Sequence, residues 1–219
     1  MAPIIHLIRH AESEHNLFKD FSQLDPPLTP LGYDQAARLV TTFPHPGRTA
    51  EVTTSPLRRA RQTSLTGFCH VLDRRYFDQA SGRGVEQGIA LTLEPNLQER
   101  SAMPCDTGSE RHELEREFLN LDLEQLSENW QAKVGQYAED DDSVTLRAAK
   151  MRERLRELTL ALHGKERRDI VVITHGVFMK FLSGEENIDL PKAGWKSYII
   201  KENKEDGLVI LTPVEQLEE

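Results

Sequence analysis

Two histidines in this sequence close apolar runs in the same way. Ile4 to Ile8, broken only by His6, leads into Arg9-His10, and Asp169-Ile170-Val171-Val172-Ile173-Thr174 leads into His175-Gly176. Continuous apolar runs of this length read as strands buried on both faces of a mostly parallel sheet. Both imidazoles then sit at strand carboxyl ends, the edge at which open α/β sheets bind ligands. A lone histidine reads as a hydrogen-bonded packing residue, whereas two at equivalent positions, one directly preceded by Arg9, read as a site. The run Ser55-Pro56-Leu57-Arg58-Arg59-Ala60-Arg61-Gln62-Thr63 adds cations at a strand-to-helix junction. Unpaired amides and the positive dipole end favour anions there, and a planar guanidinium grips two phosphate oxygens at once. Arg58 and Arg61 are read as ordinary solvated helix residues.

The elements that must position these groups alternate. Thr29-Pro30 is an N-cap and first-turn pair for a helix from Leu31 to Phe43, with Ala36, Leu39 and Val40 at helical spacing. Glu51 to Ser55 reads as a second strand, and Pro56 opens a helix through Leu57, Ala60 and Ser64. Thr145 to His163 carries Met151, Leu155, Leu158 and Leu162 on one helix face, with Gly164 as its stop. Ser197 to Ile200 and Gly207 to Leu211 read as a terminal hairpin turning at Glu202 to Asp206. This order predicts a three-layer α/β/α sandwich with a mostly parallel central sheet, one domain over residues 1–219. Residues 71–142 break the pattern, Gly- and Arg-rich at Ser81 to Gly84 and helical from Glu110 to Gln131. They are read as an insertion over the sheet's carboxyl edge, a lid or specificity wall.

Composition bounds the function. With 219 residues, 38% hydrophobic and 29% charged, the chain has the makeup of a globular protein with one sizeable core. No apolar run approaches the roughly twenty residues a bilayer requires, and the amino terminus has no basic leader, so no membrane and a cytoplasmic location are expected. The net charge of −9 argues against nucleic acid. Cys69 and Cys105 lack zinc or dithiol spacing and are read as free thiols. Neither a carboxylate cluster nor a His-Glu-x-x-His spacing calls for a metal, and no cofactor is expected. A homodimer is compatible with the sequence. His6 reads as a satisfied strand histidine, Trp195 and Tyr198 as packing residues.

Leu7-Ile8-Arg9-His10-Ala11-Glu12 with Asn16 resembles the signature of the histidine phosphatase, or phosphoglycerate mutase-like, superfamily, whose usual form is Arg-His-Gly-Glu. Asp25-Pro26-Pro27-Leu28-Thr29 with Leu31-Gly32 and Gln35-Ala36, then Ser55-Pro56-Leu57 with Arg59-Ala60 and Gln62-Thr63, then Thr174-His175-Gly176, are similar to its later motifs in order. The resemblance implies a phosphoglycerate mutase-like fold, with His10 as nucleophile and Arg9, Arg59 and His175 as the rest of the phosphate-binding core. Two guanidiniums and a protonated second imidazole would then supply the charge neutralisation for which other phosphoryl-transfer enzymes recruit magnesium. Asn16 contacts the phosphate by the same resemblance, or caps a loop. Leu97-Gln98-Glu99 resembles the proton-donor segment and points to Glu99, with Glu94 and Asp106 as competitors; a carboxyl group shielded beside phosphate stays protonated nearer neutral pH. Glu99 to Ser109 resembles a fungal-type and plant-type branch, with Asp106 or Ser109 facing the leaving group, or Ser109 starting the next helix.

Two positions depart from the common pattern. Ala11 replaces the usual glycine, which an ordinary negative φ would tolerate. Between Asn16 and Asp25 the Arg-Phe and Gly-Trp elements of cofactor-dependent mutases are missing, which favours a phosphatase. The expectation is a metal-independent phosphoric monoester hydrolase of histidine acid phosphatase type, acting on a small phosphorylated metabolite through a phosphohistidine. The alternatives are mutase-type phosphoryl transfer, or a recruited pocket with lyase, dehydratase or ligand-binding function.

Overall fold

A computed structural model of the chain describes residues 2–118, 121, 123, 126–204 and 207–214. Strand β1 spans Ile5–Arg9, followed by the short helix α1, Glu14–Phe18, and by α2, Pro30–Thr42. Thr29 caps α2 as its sequence foretold, its hydroxyl accepting from the Gly32 N–H at 2.9 Å, with Pro30 in the first turn. Strand β2, Thr49–Thr54, leads through Ser55-Pro56-Leu57 into α3, Arg58–Gly67. Then come β3, Ala90–Leu93, α4, Arg111–Glu117, and the long α5, Asp141–Leu162. The chain closes with β4, Asp169–Thr174, α6, Gly176–Ser183, and the antiparallel pair β5, Trp195–Glu202, and β6, Val209–Pro213.

The strands form one sheet in the order β3-β2-β4-β1-β5-β6. β3, β2, β4 and β1 are parallel, and β5 joins β1 in the opposite sense. Strand pleating sorts the apolar residues to the two faces. Ile5, Leu7, Ile170 and Val172 pack under α5 and α6 with Met151, Leu155 and Phe178. Ile8, Val52, Val171 and Ile173 face the other way, against Ala36, Leu39, Phe43 and Ala60 of α2, α3 and their flank. Each of these strand residues is fully buried, and each contributes about 1.5–3 kcal/mol of transfer free energy. The three-layer sandwich follows. His6 points into the second face, its Nδ1 2.9 Å from the Ser197 hydroxyl, a satisfied strand histidine; Tyr198 is fully buried, and both cysteines are free.

Several boundaries moved for local reasons. α5 begins at Asp141 rather than Thr145 because Asp140 caps the Ser143 N–H at 2.9 Å and Asp141 and Asp142 complement the helix dipole. The helix expected over Glu110 to Gln131 is only α4, and residues 119, 120, 122, 124 and 125 of that stretch lie outside the described residues, as do 205 and 206 of the hairpin turn. The N-cap of α4 is Glu110, not Ser109, whose N–H is spent on Asp25 Oδ2 at 3.1 Å. The segment 71–142 is also more than an overlay on the carboxyl edge: it contributes β3, an edge strand of the sheet itself, paired to β2 from Glu51–Ala90 to Thr54–Leu93. Among the described residues no helix is long and apolar enough to cross a membrane.

Gly32 shows why α2 sits where it does. A Cβ there would collide with the backbone carbonyl of Glu12, the same oxygen that accepts the Thr29 N–H at 3.1 Å. Gly32→Ala is therefore expected to destabilise the fold by about 1–3 kcal/mol through overpacking, read as a lowered urea midpoint. An unchanged midpoint would mean that this turn yields freely.

Candidate active site

The parallel register brings the two histidines together. The His10 N–H donates to the Thr174 carbonyl at 3.0 Å and the Ser55 N–H to the Ile173 carbonyl at 3.0 Å, so the carboxyl ends of β1, β4 and β2 lie side by side. The imidazoles of His10 and His175 are 5.0 Å apart, centroid to centroid, and both rings are buried. His10 Nδ1 lies 2.7 Å from its neighbour's carbonyl, Ala11 O. A carbonyl only accepts, so Nδ1 carries the proton and Nε2 the lone pair. Ala11 has no positive φ, and its N–H donates to the Thr63 hydroxyl at 3.0 Å, which explains how alanine is accommodated.

Arg59, on the first turn of α3, is the third member. Its Nε donates to His10 Nε2 at 3.2 Å, its Nη1 to the Cys105 carbonyl at 2.6 Å and its Nη2 to Asp106 Oδ1 at 2.7 Å. Arg9 donates through Nη1 to Asp189 Oδ1 at 2.8 Å and the Leu190 carbonyl at 2.6 Å. A Cβ on Gly176 would lie 3.3 Å from Arg9 Nη2, so glycine after His175 lets the guanidinium lie close to the chain. His175 Nε2 is 2.8 Å from the Ser55 hydroxyl, while its buried Nδ1 has no partner among the described residues. His10, Arg9, Arg59, Asn16, Glu99 and Asp106 all line one cavity of about 540 Å³.

The carboxylates separate clearly. Glu99 reaches the cavity and accepts at Oε1 from the Phe178 N–H (2.9 Å) and at Oε2 from the Val177 N–H (3.0 Å), in the first turn of α6. Glu94 is turned away: it accepts from Asn96 N at 2.9 Å and pairs with Arg154 at 3.1 Å. Asp106 is bound to Arg59 and, through Oδ2, to the Ser101 hydroxyl at 2.7 Å. Asn16 caps a helix and also borders the cavity, its Oδ1 accepting from the Ser13 N–H at 3.3 Å at the start of α1.

Burial, reinforced by the positive charge of Arg59, holds His10 and His175 well below the usual imidazole range and His15 at about 4. Both effects favour the neutral ring at His10. The same forces, burial first and then Arg59, favour the neutral form of His175, against the protonated second imidazole expected from the sequence. The unfolded chain protonates these histidines near pH 6.5 and the folded one does not, so the unfolded state binds more protons as pH falls below 6.5. Stability is therefore expected to fall from pH 6.5 towards 5, by up to about 1.4 kcal/mol per pH unit for each such histidine. Thermal melts across that window test this, and a flat Tm would show that the rings are protonated in the fold.

Three side chains escaped the sequence reading. Arg61, taken as solvated, is fully buried, stacked over Phe118 at 3.9 Å and 3.9 Å from Asp25. Arg58 is paired with Glu117 at 3.0 Å. Lys192 lines the cavity from the loop before β5, a loop with no motif; it is brought in by the backbone bonds Ala193 N–H to Arg9 O (3.1 Å) and Arg9 N–H to Gly194 O (3.0 Å). His15, Cys105 and Asp106 each bring a ligand atom within 4.8 Å of the others. They do not fit a metal: both nitrogens of His15 are bonded to Ser13 and Asn16, Asp106 is held by Arg59 and Ser101, and burial pushes the Cys105 thiol up to about 11.

Residues 5–67 match the family model of the histidine phosphatase superfamily (branch 1). A comparison with curated protein sequences finds no match. The fold is shared with solved structures along nearly the whole chain. Phosphoserine phosphatase from Entamoeba histolytica, in complex with 3-phosphoglyceric acid, aligns with a TM-score of 0.56 at 21% identity over 98% of each chain. Mycobacterial glucosyl-3-phosphoglycerate phosphatase aligns with 0.58 at 16% identity over 98% of each. A putative alpha-ribazole-5'-P phosphatase from Escherichia coli aligns with 0.57 at 19% identity, over 98% of this chain and 97% of that one. Over residues 5–67 the chain is thus similar to the histidine phosphatase superfamily (branch 1), and over nearly its whole length it shares the phosphoglycerate mutase-like fold.

Proposed function

We propose that the protein is a phosphatase that takes the phosphoryl group of a small phosphomonoester onto His10 Nε2 and passes it to water. The observation that carries this reading is the tautomer of His10. Its Nδ1–H is tied to Ala11 O and its lone pair on Nε2 lies beside Arg59 Nε, both residues lining the cavity. The Nε2 lone pair attacks phosphorus, the P–O bond to the leaving group breaks, and Glu99 protonates the departing alkoxide. In the second step Glu99 takes a proton from water, the hydroxide attacks phosphorus, and the N–P bond returns its electrons to Nε2. Arg9 and Arg59 neutralise the charge on the phosphoryl oxygens, and neutral His175, accepting at Nε2 from the Ser55 hydroxyl, holds its proton on the unpartnered Nδ1 as a further donor. No step calls on a metal.

The names of the structures that share the fold, all phosphatases among those above, support hydrolysis over a mutase. One wall of the cavity, from Glu99 through Ser101, Met103 and Cys105 to Asp106, comes from the inserted segment, which is the part of the chain we assign to leaving-group choice. The test is to incubate the enzyme with labelled p-nitrophenyl phosphate in EDTA and quench with alkali. An acid-labile, alkali-stable phosphoryl group on His10 and release of inorganic phosphate are expected. Label delivered to a second alcohol in place of water would make the enzyme a mutase; absence of label and of phosphate release sinks the reading.

A further inference from the structure

Lys192 has no use in the scheme above, yet its surroundings are those of a ligand. Its Nζ donates to Asn16 Oδ1 at 2.6 Å, a neutral oxygen, and it forms no ion pair among the described residues. The neighbouring cations are differently placed. Arg59 has Asp106, Arg9 has Asp189, and Lys180, also on the cavity wall, is exposed to water. Lys192 is partly buried with no carboxylate in contact among the described residues, a costly arrangement unless an anion arrives. Asn16 Nδ2 is 2.9 Å from His15 Nε2, and the His15 ring lies 6.4 Å from that of His10, so the Asn16–Lys192 pair stands at the side of the nucleophile.

We propose, resting on the phosphatase reading, that Lys192 is a further ligand of the phosphoryl group, donating to a non-bridging oxygen as the group reaches His10 and again in the orthophosphate complex. Burial, then Arg9 and Arg59, lower its ammonium to about 7, against the opposing pull of Glu12 and Glu99. His10 and His15, the other titratable groups beside it, are already neutral there, and Lys180 and Asp189 lie on the outer wall. A bound dianion raises the affinity of Lys192 for its proton, so orthophosphate binding above pH 7 draws a proton from the buffer. A point-charge ammonium at the cavity wall is suited to this, while the two guanidiniums supply directional forks.

The experiment uses orthophosphate as the probe, measured by calorimetry at pH 8 in buffers of differing ionisation enthalpy, and p-nitrophenyl phosphate turnover beside it. Lys192→Met is expected to weaken orthophosphate binding roughly tenfold to a hundredfold, as loss of a charge-assisted hydrogen bond does, to raise KM in parallel, and to abolish proton uptake. Lys192→Arg should restore the affinity without the uptake, and circular dichroism of both variants reports whether the fold is intact. Wild-type affinity in the Met variant, or a loss seen only with substrates carrying a second anionic group, overturns the proposal. If the wild type binds orthophosphate with proton uptake but hydrolyses no ester and forms no phosphoenzyme, the Lys192 site stands and the phosphatase reading falls.

Discussion

His10→Ala is expected to lower kcat for p-nitrophenyl phosphate by about four orders of magnitude or more, as removal of a covalent nucleophile does elsewhere. The ring is buried, its Nδ1–H is spent on Ala11 O and its only available lone pair faces Arg59. His15 is no substitute, because its two nitrogens are bonded to Ser13 and Asn16, and His175 is turned to Ser55. Truncation leaves the Ala11 carbonyl and Arg59 Nε without a partner, at a cost of about 1–3 kcal/mol, which a folded enzyme should survive. Millimolar imidazole should restore part of the turnover by occupying the vacated space. Retention of more than roughly one per cent of wild-type kcat, with the fold intact, would remove His10 from the nucleophile's role.

Arg59→Met is the second large effect, and it should strike activity and stability together. Arg59 is nearly inaccessible and pairs with Asp106, whose side chain is itself only 14% exposed. Losing the cation strands that carboxylate and the Cys105 carbonyl, and breaking a buried pair costs roughly 3–5 kcal/mol. Losing a preorganised donor at a site of developing charge costs about 10²–10³ in kcat. The two losses separate in the double variant Arg59→Met with Asp106→Asn. Stability by urea unfolding should recover in part because no unpaired charge remains, whereas kcat/KM should not recover at all. Recovery of both would mean that Arg59 serves the fold alone.

Much of this site was legible in residue order because its parts lie at the ends of elements with strong local signals. β4 occupies the expected residues, and Thr29-Pro30 starts α2 through a hydrogen bond between residues three apart. Where the reading failed, the deciding contact was distant. Arg61 looked like a solvated helix residue, but Phe118 and Asp25 cover it from other parts of the chain. A resemblance pointed to Glu99, with Glu94 and Asp106 as competitors; packing sends Glu94 to Arg154 and Glu99 to the amides of α6.

The sequence alone determined the alternation of buried strands and helices, and with it the meeting of His10 and His175 at one sheet edge. Those features depend on periodicity and on parallel pairing, which are properties of short segments repeated. Tertiary structure decided the protonation of the histidines, the partner of Arg59 and the presence of Lys192. Asn16 and Lys192 are 176 residues apart and touch only because β5 runs back along β1. Charge states in the cavity follow from how deeply the sheet edge is covered and which cations stand near, and neither quantity is carried by any stretch of sequence taken by itself.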